Sequence, residues 1–499
     1  MSSTLFSRRK LFEAGAAAVA AAGVAAIPGA ALARPPQVRE SELESLFPEG
    51  AEERFRLSQQ NAYLFLDTMM DAYAQGSTTR LSQSYSDELG LESTAFVYDN
   101  AVEIMARLLR ASGQDLDRAK VLGNGLLYAQ QTDPAADGRV RQAYFVDHAD
   151  ANGVFVIPSG SPFFFLGSAT GDVAWTGMAL AQLAHRTGIA AYLDGAVRLG
   201  NWIFNNTFDT RGAGGYNFTA GANQVKSTEH NIDAFALFTM LARLTGDTAT
   251  WTGRADHARI FVDAMFNVPG GFFFTGTGPD GVSVNPNLSQ DNIPEDVQDW
   301  SFQAFANPDH AASVDWCKTN LAVTDTPQTY NSDLIPAFSN NLTGNIRVSG
   351  VSFATQSMRP PLAENEQAES ACFIAPSDQF SNQPSPSAVW LEGTGHLAAA
   401  LLSRRLPRNK DIDGFNGDVD TARVLLDNIR VAQNNLGRGQ HVGAKAIPDG
   451  LGVIAATSEL NTGFGFSFKR FLHVGATGWY TIAGQAGNPF RLGLGKDNQ

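Results

Sequence analysis

The chain reads as an all-α protein, six helical hairpins closed into a ring: an (α/α)6 toroid. Three observations predict this. Apolar residues recur at helical spacing in twelve stretches: 51–75, 98–112, 115–131, 172–188, 190–205, 228–245, 251–266, 296–306, 310–322, 389–404, 418–434 and 474–485. The connections alternate strictly, short ones joining 112 to 115, 188 to 190, 245 to 251, 306 to 310 and 404 to 418, and long ones preceding 98, 172, 228, 296, 389 and 474. No strand–helix alternation is present, which sets aside a parallel α/β fold.

Short connections make antiparallel neighbours, so every long loop emerges at one end of the ring. Loops beyond about 12–15 residues in a compact domain are usually functional. One rim is therefore decorated and the other trimmed. Short β pieces are expected in the long loops, around 153–157 and 271–274. An open solenoid of the same hairpins is the alternative, but the chain lacks the polar end repeats that would favour it.

Residues 1–33 are set apart from this fold. Arg8-Arg9-Lys10 precede an uncharged run rich in Ala, Gly and Val, which ends in Ala31-Leu32-Ala33. That is the layout of a signal peptide, and the arginine pair marks the twin-arginine variant. The expectation is export through the twin-arginine translocase to the periplasm or beyond. The run is long enough to span a bilayer, but Gly15, Gly23, Pro28 and Gly29 weaken it as a permanent helix, so no stable membrane anchor is expected. Residues 34–499 form one domain, with a long loop insertion at about 323–388 rich in Asn, Ser, Pro and Gln.

Removing residues 1–33 takes Arg8, Arg9, Lys10 and Glu13 away and moves the formal charge from -14 to -16. Such a chain repels nucleic acid and anionic membranes, and favours neutral or cationic partners. Two cysteines, Cys317 and Cys372, exclude a cysteine-rich metal framework, and an oxidising compartment would permit a bridge between them.

The helices that follow long loops open with chemistry. They begin Tyr98-Asp99-Asn100, Asp172-Val173-Ala174-Trp175, Ser227-Thr228-Glu229-His230-Asn231-Ile232-Asp233, Asp296-Val297-Gln298-Asp299-Trp300, Trp390-Leu391-Glu392-Gly393 and Val474-Gly475-Ala476-Thr477-Gly478-Trp479. The helices after short loops begin blandly. Any one of these acids is more simply a helix cap; the set is what points to a site. If these helices form the inner ring, their acids and aromatics converge on one mouth. Glu229 and Asp233 share a helix face, and His396 lies one turn after Glu392.

Glycoside hydrolysis needs two carboxyl groups, one protonated to donate to the leaving oxygen and one ionised. Aromatic faces suit sugar rings, and Asp, Asn and His suit hydroxyls. Glu229 and Glu392 are the expected pair, with Asp299 as the substitute for either. Glu392 is expected to be the general acid, because nearby Trp390 would raise its pKa by desolvation. Tyr98, Asp99, Asp172, Trp175, His230, Asp233, Trp300, Trp390 and His396 are the expected substrate-binding residues. No cofactor and no metal are expected. Asp411 to Asp420 has calcium-loop composition, but Phe415 occupies a ligand position. No phosphate loop, serine-hydrolase elbow or zinc-peptidase motif is present.

Thr228 to Asp233, Trp390 to Thr394 and Val474 to Trp479, with Asn488-Pro489-Phe490, resemble the six-hairpin glycosidase-like superfamily over about 51–490. The resemblance implies an (α/α)6 barrel acting on carbohydrate, commonly by inverting hydrolysis with a Glu/Asp pair. The superfamily also holds lyases and epimerases, for which His230 and Tyr98 are the candidate bases. A non-catalytic glycan-binding protein is the third alternative.

Overall fold

The computed structural model describes residues 51–86, 91, 93–158, 166–221, 224–284, 292–327, 346–359, 384–404, 417–464 and 466–495. The leader-like segment 1–33, Cys372, much of 323–388 and the calcium-like residues 411–416 lie outside these.

Twelve α-helices are found among the described residues: α1 (Ala51–Met70), α2 (Val97–Arg110), α3 (Asp115–Thr132), α4 (Thr170–Thr187), α5 (Ala190–Thr207), α6 (Thr228–Thr245), α7 (Thr248–Ala264), α8 (Asp296–Phe305), α9 (Ala311–Asn320), α10 (Leu391–Ser403), α11 (Asp418–Asn435) and α12 (Val474–Gly484). The even-numbered helices form an inner ring in which each packs on the next and α12 packs on α2. The odd-numbered helices wrap it, with α1 paired to α12. The ring is closed, so the solenoid alternative falls.

Burial follows from this layering. α10 and α12 are buried almost end to end. The outer α7 buries only a stripe, Trp251, Ala255, Ala258, Phe261 and Val262, at helical spacing. Small residues let the inner helices approach closely. A Cβ on Gly478 of α12 would lie 2.6 Å from the Val102 side chain of α2.

Two boundaries differ from expectation by three residues or more. α1 stops at Met70 rather than 75. α7 starts at Thr248, because the Asp247 side chain accepts from the Thr250 amide and caps it. The expected strand at 153–157 is only a bridge from Val156 to Phe145, whereas Phe272–Phe273 pairs with Phe266–Asn267 as expected.

The decorated rim is stitched by extended backbone. Before α2, Thr94–Phe96 pairs with Ala143–Phe145. Single bridges join Ala169 to Thr219, Ser227 to Gly276, Pro294 to Ala354, Trp390 to Ala456, and His473 to Tyr85. Each inner helix is thus preceded by a residue paired to another loop, so its first turn is held at the mouth. Phe490 of the C-terminal segment packs against Trp175 and Trp300, with ring centroids 5.3 and 5.4 Å apart. Among the described residues no helix is long and apolar enough to cross a membrane.

Candidate active site at the mouth of the inner ring

Glu392 sits in the first turn of α10 and is 3 % exposed. Its Oε1 accepts a 2.6 Å hydrogen bond from the Tyr98 hydroxyl, which itself accepts from the Trp479 indole at 2.8 Å. Two imidazoles flank it. His396 Nε2 lies 3.8 Å from Oε1, and His473 Nδ1 lies 3.6 Å from Oε2. His473 Nδ1 accepts from the Ala476 amide, which leaves Nε2 to donate to Asp99 Oδ1 at 3.1 Å. Burial alone would push the Glu392 pKa up, but His396, His473 and the Tyr98 hydroxyl outweigh it and hold the carboxyl below its ordinary value. Gly475 makes room for this knot. A Cβ there would fall 2.6 Å from Asp99 Oδ1 and 3.0 Å from Glu392 Oε1.

The opposite electrostatics hold on the α4–α6–α8 side. Glu229 and Asp233, one turn apart on α6, share the space with Asp172 of α4 and Asp296 of α8. Glu229 and Asp172 keep part of their surface open, whereas Asp233 is fully buried. Burial, followed by the charges of Asp296, Asp233, Asp172 and Glu392, pushes Glu229 well above the usual carboxylate range. Burial lifts Asp172 and Asp296 each to about 7. Asp233 is raised by burial and by Asp296 and Asp172. Among the described residues no Lys or Arg forms an ion pair with any of these four.

A third layer lies beneath. Glu295 Oε2 is 2.9 Å from His396 Nδ1. The donor atoms of Glu295, Asp299 and Cys317 all fall within 4.8 Å of one another. This set has the chemistry for a thiophilic divalent ion. It also suits a shared proton, since burial lifts Asp299 to about 7 and raises Glu295 and the Cys317 thiol further.

The expected residues thus divide by depth. Tyr98, Asp172 and Glu229 reach the opening, with Glu392 just behind. Trp175 and Trp300 are 1 % and 2 % exposed and pack with Trp479 into an aromatic floor under Tyr98 and His396. Trp390 is buried against Phe353 and Phe468. Asp299 is fully buried beside Cys317, 3.7 Å from its sulfur. His230 packs on Phe218, and burial lowers its pKa to about 4, so it is neutral. Asp99 serves His473. The sequence reading missed Glu295, Asp296 as a site group, His473 and Trp479. The place of His473 immediately before an inner helix was the available signal for it.

This geometry fixes a pH dependence. Asp172 and Asp296 have an ordinary pKa of 3.8 and are lifted to about 7 in the fold, and Glu229, Asp233 and Glu295 are also raised. Between pH 6.5 and 8.5 their unfolded counterparts are already ionised, so the folded state binds more protons. Stability from these groups is full below the unfolded pKa and is lost as pH rises through the folded one. Glu392, with its lowered pKa, adds stability that is constant over this range and lost only at acid pH, and His230, His310 and His396, with theirs lowered, change the slope only below about 6.5. We expect Tm to fall by several degrees from pH 6.5 to 8.5 at constant ionic strength, and Asp233→Asn to flatten the slope. A flat wild-type profile would contradict this.

No protein-family profile matches the chain, and no curated protein does. Solved structures do match. A wild-type glycosidase aligns over 88 % of this chain and 98 % of its own, with TM-score 0.50 and 11 % identity. A glycosidase variant in complex with glucose aligns over the same shares with TM-score 0.51 and 10 % identity. A sugar epimerase from a ruminal bacterium aligns over 86 % and 98 %, with TM-score 0.51 and 11 % identity. At these identities the likeness is one of fold: the chain has the six-hairpin (α/α)6 toroid.

Proposed function

We propose that the protein is an inverting glycoside hydrolase acting on an oligo- or polysaccharide, with Glu229 as general acid and Glu392 as general base. One observation carries this reading: two carboxyls at the same mouth have pKa values pushed in opposite directions. This proposal reverses the expected assignment of Glu392 as the acid. Trp390 does desolvate its neighbourhood, but Tyr98 and the imidazoles stabilise the charged form more. Glu229 protonates the glycosidic oxygen as its bond to the anomeric carbon breaks. Glu392 takes the proton of a water that attacks from the opposite face. One water is consumed per cleavage, giving a hemiacetal of inverted configuration and an alcohol. Asp299 is too deep to replace either acid and acts from beneath through Glu295 and His396.

The leader-like residues 1–33 support export through the twin-arginine translocase, and a periplasmic or secreted location. The acidic balance supports a carbohydrate rather than a nucleic-acid partner.

The test is incubation of the purified protein with a panel of neutral, amino and acidic glycans, with products read by mass spectrometry and the first-formed anomer by NMR. Products heavier by one water per cleavage, with inverted configuration, support the proposal. The imidazoles on either side of Glu392 favour a second reading, sugar epimerisation. Altered retention at unchanged mass would establish that instead. Cleavage without added water would establish a lyase and overturn both.

A further inference from the structure

We propose that Trp479 is a positioning residue for the base: its indole N–H turns the Tyr98 hydroxyl proton onto Glu392 Oε1, which leaves Oε2 as the oxygen that takes the proton of the attacking water. The base role of Glu392 rests on the glycosidase reading above; the chain of hydrogen bonds from Trp479 to Glu392 rests on geometry alone.

The direction of that chain follows from which groups can donate. An indole nitrogen donates and never accepts, whereas a phenol has one proton and two lone pairs. Trp479 Nε1 stands 2.8 Å from the Tyr98 oxygen, so one lone pair of that oxygen is taken and its own proton must point elsewhere. Glu392 Oε1, at 2.6 Å, is where it points. A hydroxyl that accepts one hydrogen bond donates the next more strongly. The three residues come from α12, α2 and α10, so the chain exists only in the closed ring.

Packing holds Trp479 in place. It is 0 % exposed, stacked on Trp300 with ring centroids 6.0 Å apart, and edge-on to His396 at 4.3 Å. Gly395, three residues after Glu392 on α10, admits it: a Cβ there would lie 3.2 Å from the Trp479 Cβ.

The two oxygens of Glu392 have unequal surroundings. Oε1 has the Tyr98 hydroxyl at 2.6 Å, His396 Nε2 at 3.8 Å, and Gly475 of α12, whose Cβ would lie 3.0 Å away. Beside Oε2 stands His473 Nδ1 at 3.6 Å, which is engaged by the Ala476 amide. Oε1 is thus the held oxygen, and Oε2 is the one left for a new donor such as water. The titratable groups around Glu392 are Tyr98 of α2, His396 on its own helix, His473 with Asp99 behind it, and, through charge, Glu229 of α6 and Glu295 and Asp296 at the start of α8. A change at Trp479 leaves all of them in the chain.

The test is carbon NMR titration of the full protein labelled at the glutamate carboxyl, with the Glu392 signal assigned by its loss in Glu392→Gln. It reads the carboxyl directly, whether or not any glycan is cleaved. Tyr98→Phe is expected to raise the Glu392 pKa by about one unit, the scale of one charge-assisted hydrogen bond. Trp479→Phe should raise it by about half as much, and should add nothing in the Tyr98→Phe background, because its effect passes through the hydroxyl. A tryptophan that only fills space would shift Glu392 equally with or without that hydroxyl. Benzothienylalanine at position 479, which keeps the bicyclic ring and loses only the N–H, repeats the cycle if Trp479→Phe does not fold. Additive shifts, or no shift on loss of the N–H, would overturn the proposal. A crystal structure with a bound sugar should place a water on Oε2; a water on Oε1 alone would overturn the choice of oxygen. Non-additive shifts without cleavage of any glycan would sink the base role and leave the hydrogen-bond chain standing.

Discussion

Glu392→Gln is expected to lower kcat by about a thousandfold, the scale on which general bases act. Glutamine is nearly isosteric, and its amide oxygen still accepts from the Tyr98 hydroxyl that now sits 2.6 Å from Glu392 Oε1. The fold and substrate affinity should therefore survive, while the side chain loses its ability to take a proton from water. Added azide, a nucleophile that needs no base, should restore turnover of an activated aryl glycoside and leave a glycosyl azide of inverted configuration. Unchanged thermal unfolding beside lost kcat would separate a chemical effect from a structural one. Full activity of Glu392→Gln on a natural oligosaccharide would remove Glu392 from the mechanism.

The lowered pKa of Glu392, which favours the base role proposed for it, depends on residues remote in sequence. Tyr98, His473 and Trp479 lie on α2, before α12 and on α12, and meet Glu392 only when the ring closes. What was legible was the local part: periodicity gave twelve helices, and loop alternation gave the decorated rim. The first turns of helices after long loops carried most of the site, because position at a helix start needs no tertiary knowledge once the ring is assumed. Two kinds of residue escaped. Cys317 lies on the outer helix α9 and reaches Asp299 through the wall of the barrel. Glu295 and His473 stand one residue outside their helices, where the helical pattern does not mark them as site groups. The depth of Trp175, Trp300 and Trp390 was also invisible, because an aromatic near a helix start looks the same whether it floors a cavity or lines it.

The three layers have a common electrostatic logic. Asp99 orients His473, and Glu295 is bonded to His396, so each imidazole beside Glu392 is backed by a carboxyl. The Glu295 contact at His396 Nδ1 leaves Nε2 to face Glu392, whereas His473 Nδ1 is taken by the Ala476 amide and His473 lowers the Glu392 pKa through its charge. On the far side burial raises all four acids, and neighbouring carboxylates add to it for Glu229, Asp233 and Asp296. Glu392 differs from the other buried acids in having two imidazoles and the Tyr98 hydroxyl together outweigh its burial.

Glu229→Gln should divide substrates by leaving group. With an alkyl or sugar leaving group the departing oxygen needs a proton, and kcat is expected to fall by about a thousandfold. With a dinitrophenyl leaving group, stable as an anion, the fall should be less than about tenfold, because little protonation is required in the transition state. The pH profile gives an independent check. Glu229 is held protonated by burial and by Asp296, Asp233 and Asp172, so its ionisation sets the alkaline limb of kcat/KM. That limb should vanish in Glu229→Gln on the activated substrate, while the acid limb set by Glu392 remains. Asp296→Asn removes one of the charges that raise Glu229, and should move the wild-type alkaline limb to lower pH without abolishing it. Equal losses on both leaving groups, with the alkaline limb intact, would assign the proton to another donor. Asp172 and Asp296, each lifted to about 7, are the groups with the chemistry to supply it.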